Sequence, residues 1–357
     1  MRCSRLVLIF LLLFITVLAP SRVSAQERLG EVKVDYIFGQ ELTFEITLRN
    51  NIDAASVQFY VQVEGDNNTR SAQALLEDSG KYVAFFDLTE EPLRAFSDLT
   101  YWYEIVDEDG ETRVQNSAVI YYEDNRFEWD ERQDAPFRIH WYESGDDFAQ
   151  GIIDVAQQGL EKVQGLLPLA TPADIDVYAY ANAQDMRDSI YLSTRNWVGA
   201  HADPDLGVMV VSLPSGPEQR LEMERQIPHE LMHIMLYDEI GAAYADLPTW
   251  LIEGLASLSE LYPNPDYIIL LNGAYERESL INIASLCNNF PRDASVAYLA
   301  YAESASFTRY LYRQFGSTGL DALVATYTTG VDCERGVELA FGSSLDQLER
   351  QWREDTF

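Results

Sequence analysis

Residues 220–237 read RLEMERQIPHELMHIMLY, and residues 249–256 read TWLIEGLA. In the first run, Leu221, Met223, Ile227, Leu231, Ile234 and Met235 supply the apolar surface of a helix. His229 and His233 stand four apart, so their rings leave one helix face one turn apart. That spacing lets two imidazole nitrogens reach one zinc ion at about 2.0–2.1 Å. Glu230 projects beside them, placed to hold a water and take its proton. Histidine is scarce, four in 357 residues, and half of it falls in this pentad. The bland alternative is a pair of imidazoles bonded to backbone on a partly buried helix. A helix this apolar has little reason to gather two imidazoles and a carboxylate for packing alone. Pro228 removes one helical hydrogen bond just before His229, which predicts either a kink or a late helix start.

A catalytic zinc takes three protein ligands and keeps one open position. Residues 242–248 read as a loop, and Thr249 as the cap of a second helix. Glu253 falls one turn into that helix, 20 residues beyond His233, enough for an antiparallel return. Leu251, Ile252, Leu255 and Leu258 bury much of this helix, and Gly254 permits close backbone approach. These features make Glu253 the expected third ligand rather than a solvated acid. Asp246 and Glu260 are the alternatives, with Asp246 also a candidate acceptor for a ligand imidazole. His140 and His201 read as structural or surface residues.

The pair of motifs, His229-Glu230-x-x-His233 and Trp250-Leu-x-Glu253-Gly254-Leu-Ala256, closely resembles the zinc metallopeptidases of the gluzincin type. In particular the chain is similar to the peptidase MA-like group, relatives of the thermolysin and M1 aminopeptidase folds. The resemblance implies one catalytic zinc on His229, His233 and Glu253, with Glu230 as general base. It extends from about Arg126 to Trp352, less specifically in its flanks, and implies a β-sandwich ahead of the peptidase domain. It also implies that the apolar strand Gly207–Leu213 is the sheet edge bordering the cleft, where an extended peptide adds as a further strand. A tyrosine or histidine downstream is implied as oxyanion stabiliser; Tyr301 is the candidate and Tyr298 the second choice, both at the start of a helix. M1 aminopeptidases carry a glutamate upstream that grips the free amino terminus. Here Gly207-Val208-Met209-Val210-Val211 lacks it, which favours an endopeptidase.

Outward from the motifs, the chain reads as multi-domain: an N-terminal all-β immunoglobulin-like sandwich followed by an α+β gluzincin-type metallopeptidase domain. Residues 137–357 form the second of these, with strands at Phe137–Trp141, Ile175–Ala179 and Gly207–Leu213 and helices from Pro217 onward. Residues 29–122 show period-two alternation instead: Leu42, Phe44, Ile46 and Leu48, then Val57, Phe59, Val61 and Val63, then Tyr101, Tyr103 and Ile105. Turns such as Asp78-Ser79-Gly80 and Asp107-Glu108-Asp109-Gly110 separate these runs, so a small two-sheet sandwich is expected. Residues 123–136 are polar and acidic and read as a linker or strapping segment, which Phe127 and Trp129 hold against something.

Residues 1–25 read as a secretory signal peptide cut after Ala25: Arg2 and Arg5 precede the apolar run Leu6–Ala19, and Val23-Ser24-Ala25 ends it. An uncleaved N-terminal anchor is the alternative. Formal charge is −33, and losing Arg2, Arg5 and Arg22 with that segment takes it to −36. Such a chain repels nucleic acid and anionic membranes; a peptide or protein partner is what the resemblance to zinc metallopeptidases implies. Apolar residues make up 47%, enough for sizeable cores, which excludes a wholly disordered chain. Cys287 and Cys333 either pair, closing a loop of about 46 residues worth roughly 4 kcal/mol, or stay as buried thiols. Two further readings stand beside a secreted zinc peptidase. One is a surface binding or assembly protein with a structural or inactive zinc site; the other is a zinc amidase acting on cell-wall peptides.

Overall fold

The computed structural model describes residues 29–49, 52, 54–191 and 199–357. The expected signal peptide lies outside them. Among the described residues no helix is long and apolar enough to cross a membrane.

Seven strands come first: β1 (Gly30–Ile37), β2 (Glu41–Leu48), β3 (Ala54–Val63), β4 (Thr69–Leu76), β5 (Tyr82–Asp87), β6 (Ser97–Asp107) and β7 (Thr112–Tyr122). All neighbours are antiparallel, in the order β1-β2-β5-β4-β3-β6-β7. Hydrogen bonding therefore runs unbroken through all seven, and the expected pair of sheets is one sheet folded over on itself. Only Leu75 and Leu76 of β4 pair with β5, so the two halves separate there and close face to face. Their alternating inward residues meet: Phe44 of β2 lies 4.9 Å from Phe59 of β3 and 5.0 Å from Tyr101 of β6, ring centre to ring centre.

A second sheet follows. Its strands are β8 (Asp130–Asp134), β9 (Phe137–Trp141), β10 (Ile175–Tyr180), β11 (Ala200–Asp203) and β12 (Val208–Ser212), in the order β11-β12-β10-β9-β8. The helices α1 (Asp146–Leu166) and α2 (Ala183–Ser189) lie between them in the chain. β9, β10 and β12 are parallel, and β8 and β11 close the two edges antiparallel. β8 falls within the segment read as a linker, and Asp124 just before it is buried and holds Arg126 and Trp129. Every residue of β10 and of β12 is buried because both faces of the sheet are covered. Val177, Ala179, Met209 and Val211 face the helical core. Tyr178, Tyr180, Val208 and Val210 face a core shared with the sandwich, where Phe96 and Tyr178 rings sit 4.0 Å apart.

This arrangement corrects one expectation. The Gly207–Leu213 strand is internal, and β11 occupies the edge in its place. A strand apolar on both faces needs neighbours on both sides, whereas four residues with a half-exposed His201 suit an edge.

The remainder is helical: α3 (Gln219–Ile240), a 3₁₀ turn at Gly241–Asp246, α4 (Thr249–Ser259), α5 (Asp266–Glu276), a second 3₁₀ turn at Ile283–Leu286, α6 (Ala294–Tyr327), α7 (Cys333–Phe341) and α8 (Leu345–Thr356). Pro228 lies inside α3 and neither starts nor ends it. The Glu224 carbonyl that it leaves without a helical donor accepts the N–H groups of Leu261 at 2.9 Å and Tyr262 at 3.3 Å. The proline thus ties the end of α4 to α3. α4 also crosses α6 closely: a Cβ on Gly254 would meet Thr308 Oγ1 at 2.0 Å. Cys287 and Cys333 form a disulfide with Cα atoms 6.0 Å apart. It stands at the start of α4, where Thr249 N–H donates to the Cys287 carbonyl at 2.8 Å.

Glu303 on α6 is fully buried. Its Oε1 accepts the Ile281 N–H at 2.9 Å, and its Oε2 has no partner among the described residues. Burial lifts its carboxyl from 4.5 to about 8. An unfolded chain releases this proton near 4.5, so Glu303 favours the fold fully below that pH and progressively less up to about 8. Glu303→Gln is therefore expected to be more stable than the parent at pH 8, by on the order of 1–3 kcal/mol, with no such gain at pH 4. Denaturant melts of both proteins at the two pH values check this; equal stability at pH 8 contradicts it.

Candidate active site

α3 presents His229, Glu230 and His233 to a cleft of about 990 Å³, walled by β11, the 3₁₀ turn, α4 and the start of α6. Opposite them, α4 presents Glu253 from one turn inside its N-terminus. Glu253 Oε2 lies 3.4 Å from His229 Nε2 and 3.9 Å from His233 Nε2. One donor atom from each of His229, His233 and Glu253 falls within 4.8 Å of the others. Among the described residues no other such cluster of His, Cys, Asp and Glu donors exists.

The far sides of both rings are held. His229 Nδ1 donates to Glu260 Oε1 at 3.2 Å, and His233 Nδ1 is 2.9 Å from the Tyr244 hydroxyl. With Nδ1 engaged, each Nε2 is the nitrogen turned to the cluster. Glu260 follows directly on α4 and is buried, and the bonds from Leu261 and Tyr262 to the Glu224 carbonyl fix it against α3. It takes the part expected of Asp246, which is exposed at the end of the 3₁₀ turn.

Burial works against the positive charge on His229, yet its bonds to Glu253 and Glu260 win and hold its pKa well above the ordinary value. For His233 burial prevails and drops the ring to about 4, leaving it a neutral donor at physiological pH. Glu253 is half-buried, and although that desolvation works to raise its carboxyl, the His229 and His233 rings keep it below the usual range. Glu230 differs: burial lifts it to about 7, helped by the nearby Glu253, while the His229 ring and, less strongly, the Ala202 backbone pull the other way. Two imidazole nitrogens and a carboxylate, with second nitrogens anchored and a poised acid alongside, form a donor set that fits a catalytic zinc.

A family model described as the Peptidase MA superfamily matches residues 155–356, more than half of the chain. The chain belongs to the peptidase MA superfamily. The matched span takes in the pentad, Glu253, Glu260 and all helices from α3 to α8. Among solved structures, the chain is similar to an M1 zinc metallopeptidase from Deinococcus radiodurans. That match has 10% identity, covers 88% of this chain and 90% of that one, and gives a TM-score of 0.41. A two-domain M1 zinc metallopeptidase bound to L-arginine matches at 10% identity over 88% and 90%, with a TM-score of 0.42. No curated protein matches the chain.

Other residues of this superfamily member fall into the same cleft. Tyr298 and Tyr301 both line it from the first turns of α6. Tyr301 packs edge-on against Phe290, and the Tyr298 hydroxyl accepts a hydrogen bond from Asn264 Nδ2. Tyr244 was not singled out in the sequence, since its loop-like segment has no periodicity. Glu260 was named there only as an alternative ligand, although its place seven residues after Glu253 puts both on one helical face. His201, read as structural or surface, lines the cleft from β11. His140 sits outside it, stacked on Tyr178 and 2.7 Å from Asp176.

Proposed function

We propose that this protein is a zinc-dependent endopeptidase. The convergence of His229, His233 and Glu253 donor atoms beside Glu230 in one open cleft carries the reading. His229, His233 and Glu253 would hold the zinc, which would supply Lewis acidity for the scissile carbonyl and acidify a water. Glu230 takes the proton of the attacking water and passes it to the leaving amine. A buried carboxyl beside the three donors is placed for both halves of that transfer. Tyr301 is our choice to donate to the developing oxyanion, from the cleft wall opposite α3.

The substrate lies along β11. Ser212 N–H donates to the Gly199 carbonyl at 2.9 Å, and pairing alternates from there, so the backbone of Ala200 and Ala202 turns away from β12. An extended peptide adds to that open edge as a further strand. The edge segment reads Gly199-Ala200-His201-Ala202-Asp203 and holds no glutamate to grip an amino terminus, which supports internal cleavage. We read the first domain as immunoglobulin-like. Its strand order divides between β5 and β4 into a face of strands 1, 2 and 5 set against a face of strands 4, 3, 6 and 7, which supports a sandwich of this kind. The Cys287–Cys333 disulfide supports an oxidising, extracytoplasmic setting.

The test is a library of peptides with acetylated amino termini, incubated with the zinc-loaded protein and read by mass spectrometry. Cleavage at internal bonds of blocked peptides is expected. Release of single residues from free amino termini alone contradicts the endopeptidase reading, and no cleavage of either set contradicts peptidase action.

A further inference from the structure

Arg94 belongs to the sandwich, between β5 and β6, yet its guanidinium reaches the catalytic domain. Nη1 donates to Asp205 Oδ2 at 2.7 Å, and Nη2 donates to Asp203 Oδ1 at 3.0 Å and to Asp205 Oδ1. Asp203 ends β11, and Asp205 lies in the turn that leads into β12. The fork is sheltered, with 29% of the Arg94 side chain and 22% of Asp203 exposed. Forked, charge-assisted bonds of this kind fix orientation as well as distance. The Arg94 guanidinium holds the Asp205 carboxyl below the usual carboxylate range.

What the fork grips is the wall of the cleft. β11 is four residues long and has one neighbouring strand. A strand this short at an edge has few bonds of its own to keep it still. Yet Ala200, His201 and Ala202 all line the cleft into which Glu230 projects. Asp203, which Arg94 grips, directly follows Ala202 in that wall, so the guanidinium is two residues' reach from the cleft shared with Glu230. The sandwich core continues on to the same strand pair, since Val208 and Val210 of β12 pack into it.

We propose that Arg94 is a positioning residue: through it the sandwich grips the β11–β12 turn and sets β11 against Glu230 and the substrate. The sandwich then contributes to catalysis without touching substrate. The catalytic half of this inference rests on the peptidase reading above; the structural half does not.

The experiment compares zinc-loaded full-length parent, Arg94→Gln, Arg94→Lys and Asp205→Asn. Amide hydrogen exchange is followed at Ala200–Asp203, with the amides of β10 and α4 as internal controls. Loss of a charge-assisted pair is expected to speed exchange at β11 roughly tenfold to a hundredfold, with the controls unchanged. Arg94→Lys, which keeps the charge but not the fork, falls between. Asp205→Asn disturbs the same contact from the other domain and repeats the result should Arg94→Gln fold poorly. For peptides long enough to lie along β11, KM rises severalfold in Arg94→Gln while bound zinc stays the same. Unchanged exchange at β11 in both Arg94→Gln and Asp205→Asn overturns the proposal. Faster exchange in a protein whose parent cleaves no peptide upholds the clamp and counts against the peptidase reading instead.

Discussion

Replacing Glu230 with Gln is expected to lower kcat/KM for peptides by about 10²–10⁴-fold, the usual worth of a general base. The amide keeps the shape of the carboxylate. It cannot accept a proton from water. Bound zinc should be unaffected, because His229, His233 and Glu253 are the three side chains whose donors converge. The loss should fall on kcat, since the proton moves only in the chemical step. Kinetics with full retained activity in Glu230→Gln would sink the base assignment, whatever the metal content.

The second large effect is on the metal. Glu253→Ala removes the carboxylate that lies 3.4 Å from His229 Nε2 and 3.9 Å from His233 Nε2. Two imidazoles alone leave zinc short of the three protein ligands that catalytic sites supply. The neighbouring Glu260 gives a scale. It holds the His229 imidazole from behind at 3.2 Å, and losing such a partner of a metal-binding imidazole costs about 10–100-fold in affinity. Glu253→Ala should weaken zinc binding by more than Glu260→Ala does, measured by competition with a chelator of known affinity. Equal affinities for the two variants would mean that Glu253 is not a ligand.

How much of this was legible in the sequence depended on the strength of the local pattern. The pentad stands on a long helix, and four-residue spacing leaves no freedom about which face the imidazoles share. Glu253 was legible because its helix is apolar enough to be buried, and Gly254 marks where α4 presses on α6. Pro228 was ambiguous for a physical reason. Whether a helix tolerates an internal proline depends on who satisfies the freed carbonyl, and the donors, Leu261 and Tyr262, lie more than thirty residues on. The edge strand was misplaced because β12 carries a strong apolar signal and β11 almost none. Four residues, two of them alanine, show no period. In the sandwich, alternation identified inward faces such as Phe44 and Phe59 but not that β4 is hydrogen-bonded to both halves. That is a matter of register between strands, which alternation along one strand does not encode. The Arg94 fork was invisible for the same reason: its partners are 109 and 111 residues away.

Zinc titrated into chelator-stripped protein, with peptide hydrolysis followed at each addition, tests the central claim most directly. Activity should be absent in the stripped protein, rise in proportion to added zinc, and level off at about one equivalent per chain, as a single catalytic site requires. Hydrolysis that persists undiminished without metal, or that never appears at any zinc concentration, would contradict it.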